Sequence, residues 1–352
     1  MTLEAFKQRV EQAAASAVPL RLRGGGSKDF YGNAPKGELL DLSPYRGVVA
    51  YEPTELVLTA RAGTPLAELE ALLEAANQML AFEPPHFGPR ATLGGCVAAG
   101  LSGPRRAAAG ALRDFVLGVR MLDGRGRELS FGGQVMKNVA GYDVSRLLAG
   151  SLGTLGVILE VSLKVLPRPA AEATLRLELP EDKAIETANR WAGMPLPISA
   201  TAWSDGALSV RLSGARSAVL SAAGKLGGER LAQAEADGFW RGIREHGDSF
   251  FRDAAPLWRL SLPSNARRVE LPGAQLVEWN GALRWLKSSA DPGAIRDAAA
   301  RAGGHATLFR AADKSVNAFA PLAPATARLH RELKTAFDPA GILNPGRLYP
   351  EF

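Results

Sequence analysis

The chain has 352 residues, 46% hydrophobic and 22% charged, an ordinary globular composition long enough for two packed cores. Its net charge of +6 suits nucleic acid, a membrane surface or acidic ligands. The basic residues are scattered, however, and accompany no nucleic-acid-binding motif, so a mildly basic solvated surface and no nucleic-acid partner are expected. No apolar run reaches the ~18 residues that span a bilayer, and Glu4 and Glu11 stand where a leader would be apolar. A cytoplasmic protein, at most peripheral at the inner face of the cell membrane, is expected. The single cysteine, Cys96, excludes internal disulfides and an iron–sulfur cluster, which needs about four thiolates. Redox chemistry would require an organic cofactor or a partner.

Leu3, Phe6, Val10 and Ala14 recur at helical spacing, predicting an amphipathic helix over residues 3–15. The short strand ending at Leu22 then feeds Arg23-Gly24-Gly25-Gly26-Ser27-Lys28. Three glycines permit positive φ and leave several N–H groups uncovered between two cations. Two readings stand for this stretch alone, an exposed turn or a cradle for an anion such as a pyrophosphate. Residues 47–51 and 55–60 read as strands. Thr64 and Pro65 start a helix carrying Leu66, Leu69, Leu72 and Leu73, so the opening looks βαβ-like. No Gly-x-Gly-x-x-Gly or Gly-x-x-x-x-Gly-Lys-Ser/Thr occurs, which argues against Rossmann and P-loop sites.

A second glycine block follows Pro89. Thr92 is placed to cap a short helix whose first turn holds Leu93, Gly94 and Gly95, where a phosphate would meet bare N–H groups and the positive helix end. Ser102 and Gly103 add a hydroxyl and a close backbone approach. Asp123-Gly124 signals a hairpin. The third block runs from Lys137 through Tyr142 and Asp143, a helix N-cap, to Gly153-Thr154-Leu155-Gly156 and a strand beginning Val157-Ile158. Past Pro167 the pattern changes to shorter units: a strand at 174–179, a helix at 181–192, hairpins at Asp205-Gly206 and Asn280-Gly281, and a helix at 292–302 before His305. Trp203, Trp258, Trp279 and Trp285 lie in these strands, where aromatics more often build a core than a catalytic site. Residues 323–336 form a last helix, ended by turns at Asp338-Pro339 and Asn344-Pro345-Gly346.

The three glycine blocks in this order resemble the FAD-binding domain of the vanillyl-alcohol oxidase and p-cresol methylhydroxylase (PCMH) superfamily. Phe82 to Gly88, Val135 to Asp143, Gly303 to Arg310 and Phe337 to Arg347 further resemble the FAD-binding E subunits of bacterial glycolate oxidases, over nearly the whole chain. The resemblance implies an α+β fold: a PCMH-type two-subdomain FAD-binding domain over 1–168, an α+β cap with an antiparallel sheet over 169–311, and a C-terminal segment over 312–352 returning to the first domain. It implies FAD held by Arg23, Gly24, Gly25, Gly26, Ser27, Pro89, Thr92, Leu93, Gly94, Gly95, Ser102, Gly103, Gly156, Val157 and Ile158.

Catalytic 2-hydroxy-acid dehydrogenases of the superfamily carry a His-x-His metal-ligand pair in the cap. Here His86, His246, His305 and His330 include no such pair, so no metal is expected. Leu152 replaces their common Glu, and Ser27 sits where covalently flavinylated relatives carry His, which implies non-covalent FAD. The reading that follows is a flavin subunit working with a catalytic flavin subunit and an iron–sulfur subunit to oxidise a small 2-hydroxy acid, glycolate, to glyoxylate. The alternatives are a self-sufficient FAD-dependent dehydrogenase of another hydroxy acid or alcohol, and a scaffold without flavin. Near the ring the candidates are His86, His305 and Tyr142, with Lys137 and Arg310 as polar neighbours.

Overall fold

Pro53 and the left-handed Leu56 (φ 57°) turn the strand Val48–Glu52 back onto Val57–Arg61. In the computed structural model, which describes residues 2–133 and 143–352, these strands are therefore an antiparallel hairpin and do not open a βαβ unit. The helix behind them, Leu66–Ala75, starts one residue later than the sequence suggests. Thr64 is diverted from capping it: its hydroxyl accepts from Gly47 N at 2.9 Å and donates to Gly47 O.

The hairpin continues into a five-stranded antiparallel sheet in the order Val48–Glu52, Val57–Arg61, Val157–Lys164, Val116–Leu122 and Glu128–Gly132. The central strand Val157–Lys164 sends apolar side chains into two cores, Ile158, Val161 and Leu163 into one and Val157 and Leu159 into the other. Leu66, Leu69 and Leu73 of the helix are fully buried against one face with Leu58, Phe82 and Val161, each such side chain contributing about 2 kcal/mol. The other face receives Phe6 and Val10 of the first helix, Leu3–Ala15. Beside it the strand Leu20–Arg23 pairs in parallel with Glu38–Asp41.

From Ala171 onward an eight-stranded antiparallel sheet forms a second body, with Glu229–Arg230 at one edge and His305–Arg310 at the other. The hairpins at Asp205-Gly206 and Asn280-Gly281 form as the turn signals indicate. Helices Glu181–Ala192 and Pro292–Arg301 also form, and Trp258, Trp279 and Trp285 are buried in cores of this body. Two helices of more than ten residues, Arg216–Leu226 and Gln233–Glu245, have no counterpart in the sequence reading.

The bodies are strapped together by an ion-pair network around the buried Arg105 and Arg211. Glu83 of the first accepts from Arg211 Nη2 of the second at 2.9 Å and from Arg105 N at 2.8 Å, and Arg105 Nη2 reaches Glu172 at 2.6 Å. After the helix Pro324–Phe337 the chain returns to the first body, where Leu343 bridges Leu20 in parallel. Lys334 and Asp338 clasp that return at 2.7 Å. The Lys334 ammonium also donates to Thr154 O and Leu343 O, so its three hydrogens are all used.

Candidate functional site

The loop after Leu20–Arg23 leaves its backbone donors free. Among the described residues, the backbone N–H groups of Gly24, Gly25, Gly26, Ser27 and Lys28 donate to no protein acceptor. A run of consecutive N–H groups is a ready anion site. The loop is held open from both sides. Arg23 Nε donates to Asp29 at 2.7 Å, and a Cβ on Gly26 (φ 74°) would lie 2.2 Å from the Arg23 guanidinium. A Cβ on Gly25 would lie 1.4 Å from the Arg90 carbonyl oxygen, so the strand-to-helix segment containing Pro89 rests directly on this loop.

Two clefts flank this loop. One, with about 420 Å³ of empty space, joins all three glycine blocks: Arg23 and Gly24, then Thr92, Gly94 and Gly95, then Gly153, Gly156 and Ile158. The other, of about 1020 Å³ and more open, lies where the two bodies meet and is lined by Ser27, Phe30, His86, Phe87, Pro89, Arg244 and Arg310.

The second block differs from the sequence expectation in one respect. Thr92 does cap the helix Leu93–Ala99, accepting from Gly95 N at 3.3 Å. But Leu93 N donates to Thr64 O and Gly94 N to Ala62 O, so these N–H groups are not bare. What Gly94 and Gly95 present to the cleft is backbone without side chains. Ser102 Oγ is likewise engaged, accepting from Leu112 N at 2.9 Å, and Gly103 is pressed against Glu83 O. In the third block Ile158 lines the cleft, whereas Val157 is fully buried in the core beneath the first helix. A Cβ on Gly156 would lie 2.8 Å from the Leu122 carbonyl oxygen and would also displace the tip of Met121.

Of the histidines, His86 lines the interdomain cleft, its Nε2 3.1 Å from Glu70 Oε2 but misaligned for a hydrogen bond. His305 starts the edge strand, exposed, and lines neither cleft. Tyr142 and Lys137 lie outside the described residues. His246, not singled out from sequence, is half-buried and packs among Phe87, Phe251, Trp285 and Phe309, stacked on Phe251 at 3.9 Å. Burial, and secondarily the Arg310 charge, hold its pKa well below the usual imidazole value, so it is neutral. Among the described residues no three His, Cys, Asp or Glu side chains gather as metal ligands. Burial pushes the Cys96 thiol up to about 12, which keeps it protonated and unreactive.

Residues 2–132 match the FAD binding domain family, and residues 320–348 the C-terminal domain of FAD linked oxidases. The chain is 51% identical to glycolate oxidase subunit GlcE of Escherichia coli, over 99% of this chain and 97% of that one. It belongs to the GlcE family of FAD-binding subunits. Glycolate oxidase subunit GlcD of Bacillus subtilis is 32% identical over 160 residues, 45% of this chain and 34% of that one. The fold is that of p-cresol methylhydroxylase, with a TM-score of 0.71 at 14% identity, covering 99% of this chain and 88% of that one.

The residues present fit the cofactor of this family. FAD brings a diphosphate, which matches five consecutive free N–H groups, and flat apolar surface, which matches glycine walls with Leu22, Leu42, Ala62 and Ile158 between them. Sequence reading missed the side chains that hold these walls apart. Asn344, in the left-handed region at φ 43°, accepts from Leu22 N at 2.8 Å and donates to Leu152 O at 2.6 Å. Arg347 donates to the carbonyls of Asp29 and Asn33, fixing the end of the glycine loop. Burial lowers the Arg347 pKa to about 10, still charged at neutral pH. The signal was the segment Asn344-Pro345-Gly346-Arg347, which reads as a turn until its partners are known.

Proposed function

We propose that this chain binds FAD non-covalently across the two clefts and serves as a relay flavin subunit of a glycolate-oxidising complex. In this reading electrons leave glycolate at a catalytic flavin subunit, glyoxylate is released there, and the electrons reach an iron–sulfur subunit by way of this chain. The observation that carries the cofactor site is the row of unpartnered N–H groups from Gly24 to Lys28; identity to a glycolate oxidase subunit along 99% of the chain supports the substrate of the complex. The cytoplasm is the proposed compartment, and no helix among the described residues is long and apolar enough to cross a membrane.

When bound, FAD supplies the ability to take up an electron pair and release electrons singly. The protein binds and orients. The N–H groups of Gly24 to Lys28 donate to the diphosphate, while Arg23, braced by Asp29, keeps a positive charge at the cleft. Asn344 and Lys334 fix the spacing of the glycine walls. In the open cleft, where the ring would lie, Phe30, Phe87 and Phe309 pack edge-to-face and would shield one side of it. The Arg310 guanidinium lies 4.7 Å from the Phe30 ring centre and brings a cation to the same cleft.

The test is to purify the chain alone, confirm its flavin spectrum, and add glycolate without oxygen. Flavin that stays oxidised until the catalytic and iron–sulfur subunits are added supports the relay. Rapid bleaching by glycolate alone overturns it in favour of a self-sufficient dehydrogenase. Protein that takes up no flavin overturns the cofactor site.

A further inference from the structure

Glu245 ends the helix Gln233–Glu245 of the second body, and its carboxylate crosses to the first. It accepts from His86 N at 3.0 Å and from Phe87 N at 2.9 Å. Among the described residues these two N–H groups have no other acceptor, and the loop cannot supply one itself. Phe87 (φ 52°) and Gly88 (φ 128°) turn it out of any regular structure. Arg244 Nε donates to the other carboxylate oxygen at 2.8 Å and holds the acceptor in place.

The segment that Glu245 pins is the one pressed onto the glycine loop. Lys28 Nζ donates to His86 O at 3.2 Å, and the Arg90 carbonyl oxygen stands where a Gly25 side chain would be. Burial lowers the Lys28 pKa, and the Glu245 charge works against that. A continuous path of contacts therefore runs from a helix end in one body to the anion-binding backbone of the other.

The geometry points to Glu245 as a positioning residue through which the second body sets how tightly the glycine loop holds a diphosphate. This rests on the reading that Gly24 to Lys28 receive the diphosphate of FAD. A carboxylate accepting two N–H groups is a charge-assisted contact, stronger than its neutral counterpart. Its loss frees residues 86–90 to withdraw and lets the glycine loop relax from the conformation that aligns its donors.

The experiment titrates the apo form of the full chain with FAD and with ADP, which has the diphosphate but no ring, for wild type, E245A and E245Q. E245A should weaken both ligands by about tenfold or more, roughly 1.4 kcal/mol. E245Q keeps an oxygen that accepts the same N–H groups and should recover most of that loss, which a general loosening of the fold would not show. Wild-type affinity for both ligands in E245A overturns the inference, as does E245Q binding no better than E245A. If E245A does not fold, E245D, one methylene shorter, replaces it with a severalfold loss expected, and unchanged affinity in folded E245D is equally decisive against it. A wild-type chain that binds neither FAD nor ADP removes instead the reading on which the inference rests.

Discussion

Asn344 donates its side-chain amide to the carbonyl of Leu152 at 2.6 Å, joining residues 192 positions apart across the glycine-walled cleft. Its amide oxygen accepts from Leu22 N, so one side chain sets the distance between the first and third glycine blocks. N344A leaves the buried Leu152 carbonyl unpaired, at roughly 1–3 kcal/mol, frees the half-buried Leu22 N–H to water, and puts a Cβ with no local hydrogen bond at φ 43°, at about 1 kcal/mol more. Urea denaturation of the apo-protein should show a loss of about 2–4 kcal/mol, and flavin affinity should fall with it. N344G should recover only the backbone part, about 1 kcal/mol. Equal stability of N344A and wild type would show that the wall does not depend on this bridge.

Glycine substitutions should divide by neighbour, whatever the local sequence suggests. At Gly25 a methyl would overlap the Arg90 carbonyl oxygen at 1.4 Å, whereas at Gly238, an exposed position of the helix Gln233–Glu245, it would meet nothing within 4 Å. G25A should cost more than about 2 kcal/mol and abolish tight flavin binding, because backbone on both sides must shift. G238A should stabilise by roughly 0.5–1 kcal/mol, the helix-propensity difference. Thermal melts of the two variants beside wild type check both signs.

Local signals carried much of the fold. The hairpins at Asp205-Gly206 and Asn280-Gly281 and the helices starting at Glu181 and Pro292 follow from turn residues and helical spacing within a few positions. Where the sequence misled, long-range partners decided. Thr64 reads as an N-cap, but its hydroxyl is taken by Gly47. Gly94 reads as a bare helix start, but its N–H is taken by Ala62 O. The helix ending at Glu245 was not read, and with it went the contact across the bodies. Asn344 and Lys334 escaped for the same reason: an amide in a turn and a lysine in a helix look solvent-exposed until segments distant in sequence bring them acceptors.

Glu83 is the node at which the two bodies share charge, and removing that charge should be costly. Burial pushes its carboxyl pKa up, but the Arg211 and Arg105 guanidiniums with their hydrogen bonds outweigh this and hold it below its ordinary 4.5. E83Q leaves the Arg211 guanidinium, with 7% side-chain exposure, without its ion-pair partner, while Arg105 keeps Glu172. Breaking such a pair typically costs 3–5 kcal/mol, which sets the order of loss expected in denaturant melts. The pH sign follows from linkage. The folded state binds this proton less readily than the unfolded one, so the contribution is present at neutral pH and drains as pH falls below about 4.5. E83Q should lack that part of the acid dependence, and identical acid limbs for E83Q and wild type would contradict the assignment.

Glu278 should act in the opposite direction. It is 4% exposed, and burial pushes its pKa up to about 7, although Trp285 Nε1 donates to it at 2.7 Å and Arg259 lies near. Between its ordinary value of 4.5 and about 7 the folded protein holds a proton that the unfolded chain has released. Stability from this group therefore falls as pH rises through that window, by up to about 1.4 kcal/mol per pH unit, and levels off above it. E278Q keeps an oxygen for Trp285 but has no proton to lose. Relative to wild type, its stability should rise by on the order of 3 kcal/mol between pH 4.5 and pH 8. Urea melts at half-unit pH steps would reveal the crossing curves, and parallel curves for E278Q and wild type would place the carboxyl's titration back at its ordinary value.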